Sequence, residues 1–123
     1  MAAHKTAGTL VATGTPCLAN GSVVSATADV STSYSSVVTA MVTNGVSPQI
    51  LPCQVTVNIS NDQVNWRLYR QGTASLIMGA ISQFAWDLSD SIMYVQITFS
   101  GNDQDVTVES FIHLLDGQNY GIV

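Results

Sequence analysis

Charge is scarce in this chain. Lys, Arg, Asp and Glu make up 9% of its 123 residues, against roughly a quarter in typical soluble domains. Positive charge is scarcest, since Lys5, Arg67 and Arg70 stand against eight acidic residues for a net −5. Three cations cannot form a stripe that tracks phosphates, so nucleic acid is excluded as an expected partner. Anionic membrane surfaces are excluded on the same ground. No run approaches the ~18 apolar residues of a membrane span. The first twenty residues carry one Lys, and Ala7 to Ala12 is broken by Gly8 and Thr9, too short and polar for a signal peptide. Two cysteines, Cys17 and Cys53, make no disulfide framework. A bridge between them is open; the preferred reading is two free thiols packed as small hydrophobes. There is no Cys-x-x-Cys pair, and His4 and His113 are far apart in sequence, which argues against zinc.

The polar remainder is Ser, Thr, Asn and Gln. Such a surface is weakly solvated and tolerates burial against neighbours, because few ions must lose their water. It suits an assembly, or an extracellular β-domain. Length points to one domain with a modest core.

Alternation with period two is the dominant pattern. In Cys53 to Ser60, Val55, Val57 and Ile59 alternate with Gln54, Thr56, Asn58 and Ser60. Successive side chains of a strand point to opposite faces, so one face is apolar and the other wet. The same rhythm runs through Val23–Val30, Tyr34–Val42, Gln83–Leu88, Met93–Phe99 and Val106–His113. Trp66, Leu68 and Arg70 share one phase, with Arg67 and Tyr69 on the other. Asn44-Gly45, Asn61-Asp62-Gln63, Ser89-Asp90-Ser91 and Gly101-Asn102-Asp103 read as turns. Seven or eight strands at this spacing, with no convincing amphipathic helix, predict an all-β fold: a single antiparallel β-sandwich, jelly-roll or immunoglobulin-like. Residues 1–21 lack sustained periodicity and read as an extended N-terminal arm ordered on a partner, within which Gly8 to Ala12 could make a short strand. Residues 22–117 make the sandwich and 118–123 a short tail. Leu10, Val11 and Leu18 would be odd choices for a solvated tail, so they are candidate partner contacts. Tyr69 and Tyr94 fall on the phase opposite their strands' aliphatic sets and join them, since Tyr is enriched at interfaces.

Nothing in the chain reads as a reaction centre. There is no Gly-x-Ser-x-Gly elbow and no Gly-rich phosphate loop. His113 lies among Phe111, Leu114 and Leu115 and reads as structural. Most of Asp87, Asp90, Asp103, Asp105 and Glu109 fall in turns, where Asp caps the local backbone. Asn102, Asp103 and Asp105 could offer oxygens to calcium, but not at EF-hand spacing. No cofactor, metal or catalytic residue is assigned. Trp66, Tyr69, Trp86 and Tyr94 raise the alternative of a carbohydrate- or cell-surface-binding module, although Trp66 and Trp86 share the core phase.

Two segments carry a resemblance. Ser60 to Trp66 reads Ser-Asn-Asp-Gln-Val-Asn-Trp. Met93 to Glu109 is a strand, a Gly-Asn turn and a strand. Together, over roughly Val37 to Leu115, the chain resembles small β-sandwich proteins of tailed-bacteriophage virions, notably capsid decoration (cementing) proteins. Similar Ser-x-Asp-x-x-x-Trp turns occur in carbohydrate-binding sandwiches. The phage resemblance implies a non-enzymatic homotrimer on the outer surface of a capsid, bound to major capsid protein subunits, with the N-terminal arm reaching across its neighbours.

Overall fold

The computed structural model of the chain describes residues 4–116. The two-residue rhythm becomes nine strands: β1 (His4–Cys17), β2 (Ser22–Val24), β3 (Ala28–Asp29), β4 (Ser33–Asn44), β5 (Gln54–Ser60), β6 (Arg67–Thr73), β7 (Ile81–Leu88), β8 (Tyr94–Ser100) and β9 (Val106–Asp116). No helix forms among the described residues. One sheet has the order β1-β9-β4-β7; the other has β2-β8-β5-β6, with β3 also on β8. Every pairing is antiparallel. The result is the β-sandwich expected from the alternation.

The apolar phases meet between the sheets. Val38, Ala40, Val42, Val108 and Ile112 of the first sheet and Val55, Val57, Val95, Ile97 and Phe99 of the second are all buried. Each of these side chains larger than alanine contributes about 1.5–3 kcal/mol of transfer free energy. Along the β6/β7 side the sheets approach closely. A Cβ on Gly72 would sit 2.6 Å from Cε1 of Phe84. Glycine is what lets β6 lie over the stacked rings of Phe84 and Trp86, whose centroids are 5.4 Å apart.

Three details differ from the sequence reading. First, the stretch read as an arm is a strand. Residues 4–17 pair with β9 from His4↔Asp116 to Cys17↔Val106, with two register shifts. Val11 and Cys17 are core residues of the same chain. The shifts reset which residues face inward, which erases the alternation from the sequence. Second, Val23–Val30 is two short strands. The Ser25 hydroxyl accepts the Ile97 N–H at 2.9 Å and donates to the Ala26 carbonyl at 2.8 Å, standing in for the ladder where the strand breaks. Third, β6 carries a bulge. Val57 pairs with Arg70 but Asn58 with Leu68, so Tyr69 is the extra residue. One extra residue reverses the parity. Tyr69 therefore packs on the core, while Leu68 is 59% exposed. The 118–123 tail lies outside the described residues.

Candidate functional site

Strands β1, β4, β6 and β8 all finish at one end of the sandwich, where β2, β5, β7 and β9 begin. Four connections meet there: 18–21, 45–53, 74–80 and 101–105. Side chains from elsewhere hold three of them: 101–105 braces 18–21 and 45–53, and Asn44 at the end of β4 braces 74–80. Asn102 is fully buried. Its amide Nδ2 donates to the carbonyls of Cys17 (3.1 Å), Leu18 (3.3 Å) and Gln104 (2.8 Å). The Asp103 carboxylate accepts the backbone N–H groups of Ile50 and Leu51 at 3.1 Å. Asp105 accepts that of Ala19 at 2.8 Å. Asn44 Nδ2 donates to the carbonyls of Ser75 (2.6 Å) and Ile77 (2.8 Å). These acids and amides thus brace distant loops, a use wider than the local turns expected of them.

The braced loops turn apolar side chains outward. Of the twelve large hydrophobic residues exposed among the described residues, eight are at this end, seven on the loops (Leu18, Val46, Ile50, Leu51, Leu76, Ile77 and Met78) and Ile81 at the start of β7. Val46 is 90% exposed, Ile50 80% and Ile77 71%. Scattered apolar residues on a surface are ordinary; a cluster of this kind is not. We call it the apolar crown. The opposite end carries the exposed carboxylates of Asp29, Asp62, Asp87 and Asp90.

The five candidate contact residues are not brought together. Leu18 is in the crown and 60% exposed. Leu10 is half-buried against the core and Val11 lies within it. Tyr69 is half-buried, and its hydroxyl donates to the Asp87 carbonyl at 3.1 Å. Tyr94 is half-buried at the acidic end, in register with Asp29 and Ser60. The sequence reading missed Val46, Ile50, Ile77 and Ile81. Pro48 and Pro52, which cannot donate to a ladder, mark Val46 to Pro52 only as a connection or an edge.

A concave feature lies in the β5–β6 loop, lined by Asn61, Asp62, Asn65, Trp66 and Arg67. Asp62 organises it, accepting the N–H groups of Val64 (2.9 Å) and Asn65 (2.8 Å) and bonds from Ser60 and Asn65 side chains. Those donors hold its carboxyl well below the usual range. Trp66 is half-buried here. The core place expected from its phase is not taken, because it lies on the loop before β6 begins. Among the described residues no cluster of His, Cys, Asp and Glu has the makings of a metal site. His113 is half-buried on the outer side of the first sheet, in register with Ala7 and Val37.

No protein-family model matches this chain, and no curated protein matches it in sequence. Solved structures do match its fold. A chain of the T13 viral particle of infectious bursal disease virus superposes with a TM-score of 0.62 at 13% identity, over 94% of this chain and 32% of that one. The particle of the Gx strain of that virus matches with a TM-score of 0.59 at 12% identity, over 98% and 34%. The likeness is one of fold. This chain spans about a third of the viral chains it matches, so it compares with one part of each.

Proposed function

We propose that this chain is a non-enzymatic structural component of a virion, which attaches by its apolar crown to coat subunits. The observation that carries this reading is the crown: eight large apolar side chains exposed at one end, on and beside loops braced by side-chain hydrogen bonds. Exposing them to water is unfavourable, and a partner surface that covers them recovers that free energy. The surface elsewhere is poor in charge, which suits wet, hydrogen-bonded contacts between neighbouring subunits. The sandwich shares its fold with part of a viral-particle chain. In its finer form, the chain decorates the outside of a tailed-bacteriophage capsid. It stands as a homotrimer on the major capsid protein, crown inward and acidic end outward.

The test is co-sedimentation with shells of the major capsid protein of the same virion. Ile50→Asp combined with Ile77→Asp should weaken attachment at least ten-fold. Both residues are solvent-facing, so the melting temperature should hold within the small change typical of surface substitutions. Attachment equal to that of the parent would remove the crown from the interface. A second reading, a carbohydrate-binding module, rests on the Trp66 cleft. It requires a saturable change in tryptophan fluorescence on glycan addition that Trp66→Phe abolishes.

A further inference from the structure

Both cysteines of the chain lie at the base of the crown, and they come to it from opposite sheets. Cys17 is the last residue of β1, the outer strand of the first sheet. Cys53 directly precedes β5 of the second. Each borders a crown loop: Cys17 leads into 18–21, and 45–53 ends at Cys53. Neither has any exposed surface. Their sulfurs meet over one peptide unit of β8. The Cys17 thiol lies 3.8 Å from the Phe99 carbonyl oxygen, and the Cys53 sulfur faces the N–H of Ser100 on the same peptide bond. The two thiols are hydrogen-bonded to each other. Sulfurs in mutual contact meet the first requirement of a disulfide, which cysteines with diverging side chains cannot meet unless the backbone moves.

We propose that Cys17 and Cys53 are a disulfide site, a staple between the two sheets that closes when the chain folds under oxidising conditions and that the finished fold then seals. The bond forms by exchange with a small-molecule disulfide such as oxidised glutathione. One cysteine thiolate attacks a sulfur of the reagent and expels one glutathione thiolate, leaving a mixed disulfide. The second cysteine thiolate attacks the protein sulfur of that mixed disulfide and expels the other glutathione. The two cysteines lose two protons and two electrons, and the reagent gains them as two thiols. Exchange needs a thiolate and an open path to it. The folded state supplies neither: burial keeps both thiols neutral, and Asn102 is bonded to both the thiol and the carbonyl of Cys17. The step therefore belongs to the chain before these loops lock. Once made, the bond is as well shielded from reductants as the thiols are from oxidants. It fastens β1, an outer strand laddered to β9, to the second sheet, and it ties the roots of two crown loops together. The inference does not depend on what the crown binds.

The test compares a refolding chain with a folded one. The reduced chain is unfolded in urea and diluted into a buffer of reduced and oxidised glutathione, while a second sample stays folded in the same buffer. Intact-mass spectrometry after alkylation reads the outcome without ambiguity, since the chain has two cysteines. The refolded sample should become a monomer lighter by two hydrogens and closed to alkylation. The sample kept folded should oxidise at least about ten-fold more slowly. The oxidised monomer should keep the circular dichroism of the reduced one and unfold at a higher urea midpoint, because the cross-link restricts the unfolded chain. Its reduction by a phosphine should be fast in urea and slow without it. Glutathione adducts or disulfide-linked dimers in place of the closed monomer would overturn the site. So would an oxidised monomer with altered circular dichroism, or with a midpoint no higher than that of the reduced chain. Oxidation of the folded sample as fast as the refolding one would overturn the seal. Cell-free translation into the same glutathione buffer gives these readouts with no urea step, for a chain that does not refold on dilution.

Discussion

Asn102 shows how much one side chain carries here. Its Nδ2 serves three carbonyls from the β1–β2 and β8–β9 connections, while Oδ1 faces the Cys17 thiol at 3.4 Å. Asn102→Ala leaves those buried carbonyls unpaired and should cost about 2–4 kcal/mol, seen as a lower urea midpoint. Asn102→Asp should be no milder, because a carboxylate cannot donate to carbonyls and buries a charge. Next to it sit the two cysteines, both free and buried. Burial, and then the nearby Cys17, push the Cys53 thiol from 9.0 up to about 12. Burial also raises Cys17, with Asn102 opposing it. A raised thiol value means the folded state prefers the neutral form. The contribution is therefore complete below pH 9 and fades as pH climbs towards 12. Stability measured against pH should show an alkaline decline that is shallower in Cys53→Ala than in the parent. In the folded protein neither thiol should react with a disulfide reagent at neutral pH, since the thiolate is the nucleophile.

At the scale of elements, β1 matters most. It is an outer strand of the first sheet, and it contributes Val11 and Cys17 to the core. Removing residues 1–17 uncovers β9 and leaves cavities, at about 2–5 kcal/mol for a large buried side chain and less for small ones. The truncated chain should lose cooperative unfolding in circular dichroism, whereas a merely appended arm would leave it intact. The sequence hid this strand for a physical reason. Its small side chains and two register shifts break the period-two signal, and its partner β9 is about a hundred residues away. Where a strand keeps one wet face and unbroken register with a neighbour, as β5 does with β8 and β7 with β4, the alternation alone located it. Tyr69 and Leu68 exchanged roles because a bulge depends on both strands, and a single strand's pattern cannot reveal it. The crown was illegible for a related reason. Val46, Ile50 and Ile77 are unremarkable one by one, and only the topology gathers their loops at one end.

Taken whole, the molecule is polarised. The apolar crown occupies one pole; exposed Asp29, Asp62, Asp87 and Asp90 gather towards the other. The carboxylates of Asp103 and Asp105 at the crown are engaged by backbone N–H groups. A contact made through such a surface draws on apolar burial more than on Coulomb attraction. On the proposed function, attachment to coat shells should therefore change less than about two-fold between low and high sodium chloride, and ammonium sulfate should strengthen it. A steep loss with sodium chloride, measured by co-sedimentation, would point to a charged interface instead. The backbone enters the first sheet at His4 and leaves it at Asp116, two residues that face each other across one rung, at the pole away from the crown. A passenger domain grafted beside either residue would hang from that pole like a flag from a mast, and the gripping loops would not feel its weight.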